Sequence, residues 1–80
     1  MENSDTGVVM LDVRSEREAT TNPIQKAKVM PLSQLRNQVS KLSDEFVYLL
    51  QDDSRGEAAA YILSEAGLKT CIVRHKEAAN

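Results

Sequence analysis

FVYLLQDDSRGEAAAYILSEAGLKTCIV, residues 46–73, is the stretch whose reading decides the fold. Phe46-Val47-Tyr48-Leu49-Leu50 is a short apolar run rich in aromatic and aliphatic side chains. It is preceded by Asp44 and followed by the polar loop Gln51 to Arg55, and it predicts a strand. Ala58, Ala59, Ala60, Tyr61, Ile62 and Leu63 follow, with Ala66 in the last turn of the predicted helix. Gly67 stands where a left-handed C-cap is needed, and Leu68 supplies the hydrophobic contact of such a cap. Thr70-Cys71-Ile72-Val73 is a second strand. A helix of about ten residues between two strands is a crossover, and crossovers of that length join parallel neighbours.

The same alternation extends upstream. Val8-Val9-Met10-Leu11, ending in Asp12-Val13-Arg14, reads as a buried strand because both pleat faces are apolar. Ser15 offers an N-cap, and Glu16 and Glu18 place acid in the first turn, where the helix dipole favours it. Thr20-Thr21-Asn22-Pro23 ends that helix early. Lys28-Val29-Met30 before Pro31 is a short strand near an edge. Ser33 is a candidate cap for the next helix, on which Leu35, Val39 and Leu42 form one apolar stripe. The pattern predicts an α/β domain: four parallel strands near residues 8–13, 27–30, 46–50 and 70–73, with helices on both faces. In such sheets ligands bind beyond the carboxyl ends of the strands, and the loop Gln51, Asp52, Asp53, Ser54, Arg55 lies at one of them.

Composition narrows the function. Eighty residues make one small domain, which buries only roughly 60–65% of its unfolded surface. Residues 1–7 and 74–80 read as polar tails. A net charge of −2 gives no basic field for nucleic acid or anionic lipid. No run of about 18 apolar residues is present, and the opening MENSDTG lacks the basic and apolar regions of a secretory signal. The single cysteine, Cys71, has no internal disulfide partner, which fits a cytoplasmic protein or a piece of one.

Individual residues offer little chemistry. Cys71 sits in an apolar strand, where a small buried thiol is the default. His75 has no second ligand at metal-binding spacing, so neither a metal nor another cofactor is expected. Asp52 and Asp53 read as solvated loop acids, with Glu57 adding to the acidic surroundings, and Asp12 beside Arg14 as a structural acceptor. Arg55 opens a helix, where a cation is unfavourable, so it is expected to pair with Asp52, Asp53 or Asp12.

From Val8 to Val73 these pieces, in this order, resemble a rhodanese domain. Leu11-Asp12-Val13-Arg14 with Glu18 is similar to that family's "DVR…E" entry. Residues 24–35, IQKAKVMPLSQL, are similar to its "IPGAINIPLxxL" segment. Phe46 to Leu50, the loop to Arg55, and Ala58 to Gly67 are similar to its "VVYC–loop–RS–AA–L–G" stretch. The resemblance implies a small parallel sheet in which the strand at 46–50 lies between those at 70–73 and 8–13.

The departures bear on activity. In the family a nucleophilic Cys ends the central strand and carries sulfur as a persulfide; the matching position here is Leu50, which has no thiol. The family loop favours Gly at Asp53 and Ser at Gly56. It forms an anion cradle of N–H groups before a helix N-terminus. Carboxylates at Asp52 and Asp53 oppose an anion there, since two unit charges about 4 Å apart repel by roughly 4 kcal/mol at an effective dielectric of 20. The family's "GHIPGA" is replaced by Asn22-Pro23-Ile24-Gln25-Lys26-Ala27, and its "GG" after the last strand by residues near His75-Lys76. The usual preceding strand and helix and the trailing helix are missing, as in a minimal domain or one excised from a longer protein. The loop is similar to those of rhodanese domains attached to cyclic-nucleotide-binding domains, which read CQDGRRS where this chain has LQDDSRG. The resemblance therefore implies an inactive binding or regulatory module whose partner is a flanking domain or another protein. The alternatives are a sulfurtransferase-type enzyme with rearranged chemistry and a structural spacer in a cyclic-nucleotide-sensing protein.

Overall fold

The computed structural model describes residues 7–74; His75, Lys76 and most of both polar tails lie outside the described residues. Four strands and three helices alternate: β1 (Val8–Asp12), α1 (Glu16–Thr21), β2 (Lys28–Val29), α2 (Leu32–Gln38), β3 (Val47–Gln51), α3 (Ser54–Glu65) and β4 (Lys69–Val73). All pairings are parallel and the sheet order is β2-β1-β3-β4, so β3 lies between β4 and β1 as the resemblance implies. The short strand at Lys28–Val29 is an edge, with Val29 exposed.

The register sorts side chains between the two faces. Val9 pairs with Tyr48 and Tyr48 with Thr70, while Met10 pairs with Leu49 and Leu49 with Cys71. Strand residues alternate in direction, so Val9, Leu11, Tyr48 and Leu50 share one face and Met10, Leu49, Cys71 and Val73 the other. The core belongs to the first face. Leu11, Tyr48 and Leu50 are buried there with Leu35 of α2, Ala59 and Leu63 of α3, and Leu68. An Arg36–Glu65 ion pair at 3.9 Å joins the same two helices on the outside. Over the second face no long helix packs among the described residues. The segment after α1, Asn22 to Ile24, borders it near Met10, Gln51 and Val73.

Local chemistry accounts for most element ends. Ser15 and Glu18 form a reciprocal capping box at the start of α1. At the end of α3, Gly67 takes a φ of 86°. Its N–H donates to the Ser64 carbonyl while the Leu68 N–H reaches back to Leu63, the paired bonds of a Schellman motif. The Tyr48 hydroxyl donates to the Ser43 carbonyl at 2.6 Å, which satisfies a buried phenol and fixes the entry to β3.

Two local expectations are corrected. Ser33 does not cap α2: the helix begins at Leu32, after Pro31, with no side-chain cap, and the Leu32 N–H donates to the Val13 carbonyl instead. The stripe Leu35, Val39, Leu42 does not share one α-helix, because α2 ends at Gln38 and the chain tightens into a 3-10 turn over Val39–Lys41. Only Leu35 is fully buried, while Val39 and Leu42 pack at the edge of the core. Lys26, which stands where the family pattern has Gly, takes a left-handed φ of 66°. The backbone turn persists without the residue that makes it easy.

Candidate functional site

The loop between β3 and α3 is drawn tightly onto the helix. The Asp53 N–H donates to the Gln51 carbonyl at 2.9 Å, closing a narrow turn. Asp53 is extended and is the N-cap of α3, its Oδ1 accepting from the Gly56 N–H at 2.7 Å. A Cβ built on Gly56 would lie 1.8 Å from the Gln51 carbonyl oxygen. Glycine at 56 is thus what lets the loop backbone approach the first turn. The positive end of α3 carries its own carboxylate, supplied by Asp53. An Asp immediately before a helix is the N-cap signal in the sequence, and that signal was available for Asp53.

Arg55 does not pair with Asp52, Asp53 or Asp12. Its guanidinium donates from Nη1 to Glu18 Oε1 at 2.6 Å and from Nη2 to Oε2 at 3.3 Å, tying α3 to α1 across 37 residues of chain. Glu18 thus serves both Arg55 and the Ser15 cap. The Arg55 guanidinium first, and the Ser15 backbone N–H and hydroxyl after it, hold the Glu18 carboxyl down at about 2. Asp12 is fully buried and accepts from the Arg14 Nε and Nη2, both at 2.9 Å, and from the Arg14 backbone N–H. Its carboxyl is held below the usual range by the Arg14 side-chain hydrogen bonds, against the opposing effect of burial. Arg14 Nη2 also donates to the Asn22 carbonyl at 2.7 Å, so the pair locks the chain after α1 to the end of β1. Asp52 lies 3.5 Å from the exposed Arg74.

The predicted site residues therefore divide. Asp12, Arg14, Glu18 and Arg55 form two ion pairs at the carboxyl end of the sheet. Ser54 is exposed at the first position of α3, and Asp52 points to Arg74. Arg55 borders a shallow cleft of about 330 Å³ with Val13, Ser15, Pro31, Leu32 and Ser33. Gln51 borders a separate groove on the second face. Leu50 is 0% exposed and belongs to the core with Leu11, Ala59 and Leu63. Cys71 is exposed, which corrects the expectation of a buried thiol: β4 is an edge strand, and among the described residues no long helix packs on the face Cys71 occupies. Its Sγ lies 3.9 Å from the Ile72 carbonyl, and no basic side chain among the described residues is bonded to it. Among the described residues no group of three His, Cys, Asp or Glu is placed to hold a metal. None of the described helices is long and apolar enough to cross a membrane.

Sheet order and helix placement define a parallel α/β fold, and its solved neighbours make it rhodanese-like. A rhodanese-related protein from Thermoplasma volcanium superposes with a TM-score of 0.75 at 27% identity, covering 89% of this chain and 73% of that one. Two structures of Lactobacillus plantarum proteins are also similar. One has a TM-score of 0.66 at 27% identity and 82% coverage of this chain. The other, a full-length protein, has a TM-score of 0.76 at 23% identity and 91% coverage. The matched region spans 66% and 65% of those two chains, just under two thirds of their length. No protein-family model and no curated protein matches the chain.

Proposed function

We propose that this domain is a catalytically inactive rhodanese-like module that recognises another polypeptide segment, a flanking domain or a separate protein, through the β3–α3 loop. The observation that carries the reading is the state of the loop itself. The position of the family's nucleophile holds Leu50, a core side chain with no atom able to carry sulfur. The helix N-terminus behind it is capped by Asp53, and the Arg55 guanidinium is engaged by Glu18. The Gly56 N–H and the Arg55 guanidinium, which would otherwise face an anionic sulfur donor, already have internal partners. What remains exposed is a mixed-charge polar surface beyond a strand's carboxyl end, which suits a polar protein contact. The similarity of the loop to those fused to cyclic-nucleotide-binding domains makes a module of a larger sensor the natural setting.

The test is the affinity of the wild-type chain for its partner against an Asp52→Asn/Asp53→Asn variant. Asn is as good an N-cap as Asp, and the Asp52–Arg74 pair is exposed, so melting should barely change. The recognition reading predicts a measurably weaker complex. Unaltered affinity, with wild-type binding established, would leave the loop with no recognition role.

A further inference from the structure

Residues 16–27, α1 and the segment that follows it, are held on the domain by little apolar packing. Only Ala19 is buried among them, Ile24 and Ala27 are half-buried, and the other side chains are exposed. By contrast, α2 gives Leu35 to the core and α3 gives it Ala59 and Leu63. No other described helix or strand packs extensively against α1. Its six residues fall well short of the roughly 12–15 at which an isolated helix becomes even marginal, so its own hydrogen bonds do not hold it. What fastens the segment is polar. Arg55 of α3 grips Glu18 at 2.6 and 3.3 Å, with the two side chains 42% and 45% exposed. Arg14 Nη2 donates to the Asn22 carbonyl at 2.7 Å. An exposed ion pair is a weak fastening. At the far end, Lys26 holds a left-handed φ of 66°, a backbone that relaxes on release. Sparse apolar burial and exposed hydrogen bonds mark a unit that opens ahead of the rest of a fold.

We propose that residues 16–27 form a flap that opens as one unit while the sheet, α2 and α3 stay folded, with the Arg55–Glu18 pair as its latch. Opening lifts Asn22 to Ile24 from the sheet face near Met10, Gln51 and Val73 and releases the Arg55 guanidinium. In the closed form Glu18 occupies that guanidinium, so the β3–α3 loop presents a free cation only when the flap is open. The flap is a property of the domain's own equilibrium and does not depend on the loop recognising a partner.

Hydrogen exchange of the full chain, followed by NMR in urea below the unfolding transition, tests it. The Ala19 and Asn22 N–H groups donate to the Ser15 and Glu18 carbonyls, and the Ala27 N–H to that of Ile24. Corrected for intrinsic rates, these three amides should share one opening equilibrium with a shallow dependence on urea. They should exchange more than about ten-fold faster than the amides of Leu50 in β3 and Leu63 in α3, which open only with the whole domain. Arg55→Gln should speed all three by about two- to five-fold, as expected for one exposed ion pair. Leu50 and Leu63 should accelerate by the same factor, because global unfolding also breaks the pair. Protection at Ala19, Asn22 and Ala27 equal to that at Leu50 and Leu63 would overturn the proposal. So would a faster core beside unchanged flap amides in Arg55→Gln, since the latch would then survive opening. Faster α1 amides beside an unchanged Ala27 would overturn it too, since Ala27 lies beyond the helix and reports whether the segment moves as one.

Discussion

Replacing Gly56 with alanine is the most searching perturbation of the loop geometry. An added Cβ would stand 1.8 Å from the Gln51 carbonyl oxygen and 2.9 Å from its carbon, both backbone atoms. Ordinary contact begins near 3.4 Å, so the carbonyl must retreat by about 1.6 Å (3.4 minus 1.8). That retreat takes away the acceptor of the Asp53 N–H and disturbs the Asp53 cap on the residue being changed. Overpacking of this kind costs about 1–3 kcal/mol, and a damaged cap about 1 kcal/mol more. Alanine returns about 1 kcal/mol because it is the better helix former. The net loss is about 1–3 kcal/mol, or a fall in Tm of roughly 4–24 °C for a domain this small. Thermal and urea unfolding followed by far-ultraviolet circular dichroism read it directly. A Gly56→Ala protein as stable as wild type, or more stable, would show that the loop stands open.

Three further outcomes follow from the same geometry. Lys26→Gly should raise stability by about 0.5–1 kcal/mol in urea melts, because Lys26 holds a φ of 66° that glycine adopts freely; a loss of stability would contradict this reading of the turn. The Glu18 carboxyl carbon should titrate at about 2 by NMR, not near the usual 4.5. Because its folded value is depressed, its contribution is fully present above the unfolded value near 4.5 and is lost as the pH falls through about 2. Arg55→Gln should move the titration upward, and an unmoved one would mean that the pair does not form. Leu50→Cys alone should give little sulfur transfer from thiosulfate to cyanide, since the Asp53 cap and the pinched Gly56 remain. It should also cost about 1–3 kcal/mol of stability through the core volume removed. Robust turnover from that single change would show the cradle to be intact.

The backbone plan was legible because each strand is a compact apolar run and each turn carries its own chemistry. Ser15, Pro23 and Gly67 mark their boundaries within a residue or two, and the helix between Leu50 and Thr70 requires parallel neighbours. The side-chain network was not legible, for two reasons. The partner of Arg55 lies on another element 37 residues away, and several nearby carboxylates offered the same chemistry locally. The exposure of Cys71 depends on whether a layer covers the second face, and an apolar strand sequence looks the same with or without that layer. From sequence Asp53 reads as a solvated loop acid opposing an anion, although its position before α3 gives it a capping role.

The central proposal is that this domain transfers no sulfane sulfur, because Leu50 stands where the family has its thiol. Incubation of the purified wild-type chain with thiosulfate and cyanide, followed by thiocyanate, measures it most directly. Leu50 predicts a rate equal to the buffer background and no persulfide on the protein. Turnover that disappears in Cys71→Ser would contradict the account, placing a working nucleophile on the exposed edge strand.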